Sequence, residues 1–207
     1  MPVIALVGNK GGAGKTTLAV NLAAALGRSD ATAIIDADPQ GSALQWSVIG
    51  ETPTPDVFGC TDSLEGQAAA LAERYRHVVI DCPPSVHAPQ THAALRSARL
   101  ALVPVQPSPM DLWATVHIER AIEQARAVND DLAALLVINQ LEARTTLSRL
   151  IRDALGELDL PVATTAVRRR AVYRASALEG RSVFDMGRRG AAAAEELEQL
   201  TNEVLSR

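Results

Sequence analysis

The chain has 207 residues, of which 47% are hydrophobic and only 3% aromatic. This composition predicts a single α/β domain, residues 1–207, with a core of aliphatic side chains. A formal net charge of −4 excludes a polycation, so any contact with nucleic acid must come from a local basic patch. No apolar run reaches the length of a membrane span and no basic signal-peptide leader precedes the first apolar run, which predicts a cytoplasmic protein.

Short apolar runs alternate with helical patterns along the whole chain. The runs are apolar at successive residues, which is typical of strands covered on both faces of a parallel sheet. They occupy Val3–Val7, Thr32–Ile35, His77–Ile80, Leu100–Val105, Leu132–Ile138 and Leu160–Ala163. Helices are predicted for Thr16–Arg28, for Leu147–Leu158 and for a last segment with an inner face of Ala193, Leu197, Leu200 and Val204. The alternation predicts a doubly wound α/β fold, with a mostly parallel sheet, helices on both faces and ligands at the carboxyl ends of the strands.

A glycine-rich segment connects the first predicted strand to the first helix. It reads Gly8-Asn9-Lys10-Gly11-Gly12-Ala13-Gly14-Lys15-Thr16-Thr17. Glycines allow the backbone N–H groups to turn towards phosphate oxygens, and the helix N-terminus adds partial positive charge. The segment therefore predicts a nucleotide site at residues 9–17. Lys15 is expected to reach the β and γ phosphates and Thr16 to ligate Mg²⁺, although the strict pattern has glycine where Asn9 stands.

The same segment resembles the deviant Walker A motif of the ParA/MinD superfamily, Lys-Gly-Gly-x-Gly-Lys-Thr-Thr. The resemblance implies an ATPase that uses ATP and Mg²⁺, and it gives Lys10 a role at the phosphates of the partner subunit in a nucleotide-sandwich dimer. Every basic residue other than Lys10 and Lys15 is arginine, which suggests that these two positions need a compact ammonium group.

Aspartates end two of the predicted strands. Asp36-Ala37-Asp38-Pro39-Gln40-Gly41 resembles the switch I segment of the family, which implies that Asp38 positions the attacking water and that Asp36 supports the Mg²⁺ shell. Asp81 follows a hydrophobic strand and precedes Cys82-Pro83-Pro84, the Walker B arrangement, in which the carboxylate holds Mg²⁺. Aspartates at strand ends also cap helices and turns, which is the structural alternative.

Later segments extend the resemblance to short, ParF-like partition ATPases. Pro104–Leu112 resembles their proline-rich segment, which contributes to dimer contacts, and it also suits a rigid strand-to-helix loop. Asn139 follows a strand and is expected to face the adenine, with a simple turn asparagine as the alternative. Because the chain begins at the phosphate loop, we expect no N-terminal helix-turn-helix.

Arginines cluster in the last third of the chain. By resemblance, a basic surface on the ATP-bound dimer would hold non-specific DNA through its phosphates. The candidates are Arg149, Arg152, Arg169 and Arg170. For any single arginine, a solvated helix face with ion pairs is the alternative.

Together these features predict a ParA-type ATPase with weak intrinsic activity and catalytic residues Asp38, Lys10 and Lys15. It would form ATP-dependent homodimers, bind the nucleoid and segregate cargo with a small ParB-like adaptor that stimulates hydrolysis. The cargo could be a plasmid or chromosome, or a protein compartment such as the carboxysome. A MinD-like membrane regulator is a rival, but the tail from Glu195 to Arg207 is acidic where lipid binding needs basic charge. A metabolic synthetase of the superfamily is a second rival, one that gives no reason for Lys10.

Overall fold

The computed structural model describes residues 3–50, 55–142, 154–156 and 158–207. Within them six strands form one sheet in which every neighbouring pair is parallel. The strands are β1 (Val3–Leu6), β2 (Thr32–Asp36), β3 (Asp56–Gly59), β4 (His77–Asp81), β5 (Leu100–Val105) and β6 (Ala133–Ile138). Their order across the sheet is β3-β2-β4-β1-β5-β6. The predicted doubly wound parallel sheet is confirmed.

Helices cover both faces of this sheet. They are α1 (Lys15–Leu26), α2 (Ser42–Ile49), α3 (Leu64–Ala72), α4 (Pro89–Ser97), α5 (Pro109–Arg126), α6 (Ala171–Leu178) and α7 (Ala191–Leu205), with a 3₁₀ helix at Val183–Arg189. No helix in the described ranges is long and apolar enough to cross a membrane. The predicted helix Leu147–Leu158 lies for the most part outside the described residues.

The successive apolar residues of each strand serve two separate cores. Along β1, Ile4 and Leu6 pack with α1 and α7, whereas Val3 and Ala5 pack with α3, α4 and α5 on the other face. Both sets are buried, which is why the strands carry continuous apolar runs. The predicted inner faces of the first and last helices are buried: Leu18, Leu22, Leu26, Ala193, Leu197, Leu200 and Val204.

Two details differ from the sequence prediction. The edge strand β3 was not predicted, because its four residues are only partly buried and carry no continuous apolar run. The predicted strand Leu160–Ala163 is wrong: the segment makes only a single parallel bridge, between Val162 and Leu136. Pro161 cannot donate a ladder hydrogen bond, and it contributes only its carbonyl, to the Leu136 N–H at 2.8 Å.

The sheet opens a crevice where β1 and β4 lie side by side. The loop after β1 leads to α1 on one face of the sheet, while the loop after β4 leads towards α4 on the other face. In open α/β sheets, ligands bind at this point, outside the carboxyl ends of the strands. The fold therefore places the glycine-rich loop and Asp81 on the two sides of one crevice.

Gly50 and Gly180 bring the ends of α2 and α6 into backbone contact, and this contact can be tested. A Cβ on Gly50 would lie 2.2 Å from the carbonyl oxygen of Gly180, although the backbone angles of Gly50 suit alanine. Gly50→Ala should therefore lower the free energy of unfolding by about 1–3 kcal/mol in urea titrations, the usual cost of overpacking. Gly59→Ala is the control, because its Cβ would meet only a Leu44 methyl group at 3.4 Å. Equal stability of the two variants would contradict the contact.

Candidate functional site

Asp36 and Asp81 stand next to each other at the carboxyl end of the sheet. They are the last residues of β2 and β4, and the parallel register pairs them directly. Asp36 is buried, and its two carboxylate oxygens accept the N–H groups of Asp38 at 3.2 Å and of Leu44 at 3.0 Å. Burial raises the pKa of Asp36, and these backbone hydrogen bonds partly oppose the effect. Asp36 thus lies in the crevice and also stabilises the start of α2 through these two hydrogen bonds.

Asp81 is fully buried, and its carboxylate has no hydrogen bond of good geometry in the described part of the chain. Burial raises its pKa from 3.8 to about 7, and only the nearby Thr16 hydroxyl and the Lys15 ammonium lower it. Buried carboxylates are normally paired with a cation or fully hydrogen bonded. Two buried oxygens without partners therefore fit a group that has to be supplied, such as a metal cation.

The glycine-rich loop adopts a conformation that only glycine tolerates well at two positions. Gly12 and Gly14 have φ angles of +81° and +89°, in the left-handed region. Lys15 begins α1, its side chain is buried, and its Nζ donates to the Lys10 carbonyl at 3.3 Å. Burial lowers the pKa of Lys15, while Asp81 and Asp38 raise it. The loop thus holds the Lys15 ammonium group largely shielded from water and close to the carboxylates of Asp81 and Asp38.

Three amide side chains fix this loop from the neighbouring strand ends. Gln106, just after β5, and Gln140, just after β6, both donate to the Gly12 carbonyl, at 2.5 and 2.8 Å. Asn139 donates to the Ala13 carbonyl at 2.7 Å, and a Cβ on Gly14 would collide with its amide. Asn139 was predicted to face the adenine, which stays a prediction, and the two glutamines were not predicted. Their position directly after buried strands was the available signal.

Asn9 and Lys10 reach away from the loop in different directions. Asn9 Oδ1 accepts the Val86 N–H at 3.3 Å, which ties the loop to the segment after β4. Lys10 is about half exposed, and its Nζ lies 3.2 Å from the buried carboxylate of Asp111 at the start of α5. Asp111 is also held by Ser108, whose hydroxyl contacts its carboxylate and accepts its N–H at 3.2 Å. The extra lysine is therefore held by an ion pair within its own chain.

A cleft of about 550 Å³ lies between the loop and α6. Gly14, Thr17 and Asn139 line it, together with Arg170 and Tyr173. The Tyr173 hydroxyl is buried without a hydrogen-bond partner in the described residues, and burial raises its pKa. The cleft has the size and the mixed lining of a small-ligand site.

A second cleft, of about 700 Å³, lies on the other side of the aspartate pair. Asp36 and Asp38 line it, together with Cys60, Asp62 and Glu65. Asp38 is only partly exposed, and its carboxylate accepts the Gln40 N–H at 3.0 Å. Asp38 thus lies at the junction between this second cleft and the crevice that contains Asp36 and Asp81.

The predicted basic patch is only partly described. Arg149 and Arg152 lie outside the described residues. Arg169 forms an ion pair with Glu142 at 2.7 Å, and Arg170 forms one with Glu196 at 2.6 Å. Both arginines also line the cleft beside the phosphate loop. Their side chains are therefore partly committed to partners within the chain.

The chain is similar in sequence to known proteins. It is 40% identical over 207 residues to a protein of Halothiobacillus neapolitanus named maintenance of carboxysome distribution protein A, in an alignment that covers 98% of this chain and 95% of that protein. It is 32% identical over 186 residues to the chromosome-partitioning ATPase Soj of Thermus thermophilus, which covers 73% of this chain and 74% of Soj.

Among solved structures, the septum site-determining protein MinD of Pyrococcus horikoshii, in complex with Mg-ADP, superimposes with a TM-score of 0.73. That superposition covers 98% of this chain and 95% of MinD at 22% identity, which supports the fold alone. A family model described as the CobQ/CobB/MinD/ParA nucleotide binding domain matches residues 4–183. The chain belongs to this CobQ/CobB/MinD/ParA family of nucleotide-binding domains.

Proposed function

We propose that this protein is a Mg²⁺-dependent ATPase that dimerises in its ATP-bound form and positions a protein compartment such as the carboxysome along nucleoid DNA. One observation carries the ATPase proposal: a glycine-rich loop, the buried Lys15 and the buried carboxylate of Asp81, which has no hydrogen-bond partner of good geometry among the described residues, converge at one edge of the sheet. A triphosphate needs donors and positive charge, and the carboxylate needs a cation, so Mg-ATP would satisfy both.

The residues divide between binding and chemistry. Residues 9–17 would surround the phosphates, with Lys15 at the β and γ phosphates. Thr16, Asp36 and Asp81 would hold Mg²⁺, which supplies charge neutralisation to phosphoryl transfer when it is bound. Asp38 would orient the attacking water. The cleft between Gly14 and Tyr173 would take the adenosine, and the buried Tyr173 hydroxyl offers it a hydrogen bond.

Dimerisation would use the face that carries Lys10. Beside the Lys10–Asp111 pair, the first turns of α5 expose Met110 and Trp113, the latter 67% exposed. Exposed large apolar residues next to a half-exposed lysine are typical of a surface that becomes covered. In the dimer Lys10 would leave Asp111 and meet the phosphates of the partner, where the γ phosphate of ATP provides charge that ADP lacks.

The cargo assignment rests on similarity. The relative named for carboxysome distribution aligns over almost its whole length at 40% identity, whereas the chromosome-partitioning relative aligns over about three quarters at 32%. This favours a protein compartment over plasmid or chromosome partition. An adaptor that links the compartment to the ATPase and stimulates its weak intrinsic hydrolysis would complete the system.

DNA binding would depend on the arginines around α6. Arg168, Arg169 and Arg170 share two carboxylates, Glu142 and Glu196, while Arg174 has no carboxylate within ion-pair distance in the described residues. The cluster therefore keeps excess positive charge in an acidic protein. Arg169 and Arg174 are exposed, so both could contact backbone phosphates without opening the core, Arg169 by exchanging its ion pair with Glu142.

The metal role of Asp81 predicts opposite effects with and without ligand. Because the folded-state pKa is raised to about 7, the carboxyl group stabilises the fold fully below its unfolded pKa near 4, and this stability is lost as pH rises through 7. At pH 8 Asp81→Asn should raise the melting temperature of the ligand-free protein and lose most of the further stabilisation by Mg-ATP. Thermal melts with and without Mg-ATP test this, with exposed Asp131→Asn as the control. A ligand-free Asp81→Asn that melts below wild type would contradict the burial argument.

The role of Lys10 predicts a separation between nucleotide binding and dimerisation. Lys10→Ala should still bind ATP but remain monomeric, because the charge that crosses the dimer seam is gone. Asp111→Asn keeps the lysine and removes its partner in the same chain, so it should dimerise with ATP at least as well as wild type. Light scattering in ADP, ATP and a slowly hydrolysed analogue decides between them. Normal ATP-dependent dimers of Lys10→Ala would show that the lysine has another use.

The DNA contact predicts an effect on affinity that depends on salt. Arg169→Ala with Arg174→Ala should weaken binding of the ATP-bound protein to arbitrary duplexes at low salt and reduce the slope of log affinity against log salt by about 1–2. ATP hydrolysis without DNA should persist. The control pair is Arg120→Ala with Arg126→Ala on α5, whose loss should leave binding unchanged. Identical salt slopes for wild type and the first variant would remove this surface from the proposal.

A further inference from the structure

A second group of exposed apolar residues lies where α2 and α6 end. Val48 and Ile49 on α2 and Leu178 on α6 are 83%, 55% and 82% exposed. The two helix ends touch through backbone, since a Cβ on Gly180 would lie 2.7 Å from the Ile49 carbonyl carbon. The Trp46 indole of α2 also donates to the Arg181 carbonyl at 3.1 Å. These contacts make one surface of residues that are distant in sequence, which we name the α2–α6 patch.

Positive charge borders this patch. Glu179 follows Leu178 directly and contacts two arginines, Arg181 at 3.4 Å and Arg189 at 3.5 Å. Arg188 lies beside Arg189 and has no carboxylate within ion-pair distance in the described residues. Glu179 thus contacts two guanidinium groups, and a third arginine is the sequence neighbour of one of them. An apolar centre with a basic border is complementary to a ligand with apolar side chains and acidic neighbours.

The two helices connect the patch to the proposed nucleotide site. The first turn of α2 donates the Leu44 N–H to Asp36, and its N-terminus directly follows Asp38–Gly41. At the first turn of α6, Ala171, Tyr173 and Arg174 line the cleft beside the phosphate loop. Each helix has eight residues, a rod of about 12 Å at 1.5 Å per residue. Both rods therefore have one end at the patch and the other at nucleotide-facing residues.

We propose that the α2–α6 patch is the docking site of a partner protein, and that the partner binds with an acidic amphipathic helix. Leucine-type side chains at helical spacing would cover Val48, Ile49 and Leu178, and Asp or Glu residues would face Arg181, Arg188 and Arg189. Docking would shift α2 and α6 relative to each other and so change the position of Asp36, Asp38 and Tyr173. The patch would thereby be the place where an adaptor controls hydrolysis, a role that rests on the ATPase function proposed above.

The experiment lets the protein select its ligand. A display library of random peptides, long enough for several helical turns, is panned against the full chain with a slowly hydrolysed ATP analogue. The enriched peptides should carry Leu, Ile or Phe at i, i+3 or i+4 spacing with an excess of Asp and Glu. Synthetic copies should bind wild type and lose affinity about tenfold or more, some 1.4 kcal/mol, on Val48→Ser with Leu178→Ser.

Two further variants separate the surface from general effects. Arg188→Glu with Arg189→Glu should abolish binding of the acidic peptides, since it reverses the border charge. Val128→Ser is the matched control, because Val128 on the segment after α5 is also a strongly exposed valine, at 71% against 83% for Val48, and it should bind as wild type does. Basal ATPase activity should be unchanged in all of these variants.

The two tryptophans report on the two surfaces separately. With Trp113→Phe, the only indole is Trp46, which is buried at the patch, and its emission should shift when peptide binds. With Trp46→Phe, the only indole is Trp113, which should respond to ATP-dependent dimerisation and not to peptide. If the protein does not dimerise with ATP, Trp113 emission in the Trp46→Phe variant and light scattering would both show it. Peptide docking is measured independently by Trp46 emission in the Trp113→Phe variant.

Several outcomes would overturn the proposal. The selected peptides could be basic, or no peptide could be enriched. The selected peptides could also bind the Val48→Ser, Leu178→Ser variant as tightly as they bind wild type. Cosedimentation with phosphatidylglycerol vesicles that is lost in that variant would assign the patch to a lipid surface instead. Peptide binding that leaves both Trp46 emission and ATP turnover unchanged would overturn the connection to the nucleotide site.

Discussion

The free-energy cost of burying the Asp81 carboxylate is the constraint on which the site depends. Its carboxylate ends a central strand, so the sheet on either side and the segment after β4 exclude water from it. Asp36 beside it raises its pKa further, and only Thr16 and Lys15 act in the opposite sense. The charged form of a buried carboxylate is unfavourable without a cation, so a ligand that supplied one would also stabilise the fold. The packing around the crevice buries the Asp81 carboxylate but gives it no hydrogen-bond partner of good geometry among the described residues. The cost of its burial is therefore not offset within the described part of the chain.

The phosphate loop takes its shape from its neighbours. A run rich in glycine has little side-chain packing of its own and loses much conformational entropy on folding. Gln106, Asn139 and Gln140 offset this by binding two loop carbonyls from the ends of β5 and β6. The parallel register of β1, β5 and β6 is therefore also what determines the loop conformation.

Local patterns in the sequence were sufficient for much of the fold. A parallel strand that is buried on both faces is apolar at successive residues, so these strands were predicted from the sequence. The phosphate loop was predicted because its residues are contiguous in the sequence. Pairings between distant residues leave no such pattern: Lys10 and Asp111 are separated by 101 positions, and Gln106 and Gly12 by 94. The residues near Arg170 in the sequence likewise do not indicate that Glu196 is its partner. The strand β3 was not predicted because it lies at the edge of the sheet and is little buried. What sequence could not supply was the set of contacts that tertiary structure creates between ordinary polar residues.

The scarcity of lysine gains a physical reason from the Lys10–Asp111 pair. An arginine at position 10 would meet the carboxylate of Asp111 with a planar fork able to form two charge-assisted hydrogen bonds, a geometry that a lysine cannot match. Lysine makes a single contact at 3.2 Å and remains half exposed, so it can exchange Asp111 for another anion at small cost. At position 15 the argument is different: a guanidinium stays charged even when buried, whereas burial can lower the pKa of an ammonium. Both positions therefore carry a compact ammonium group where a guanidinium would pair with two hydrogen bonds or stay charged, and arginine takes every other Lys/Arg position of the chain.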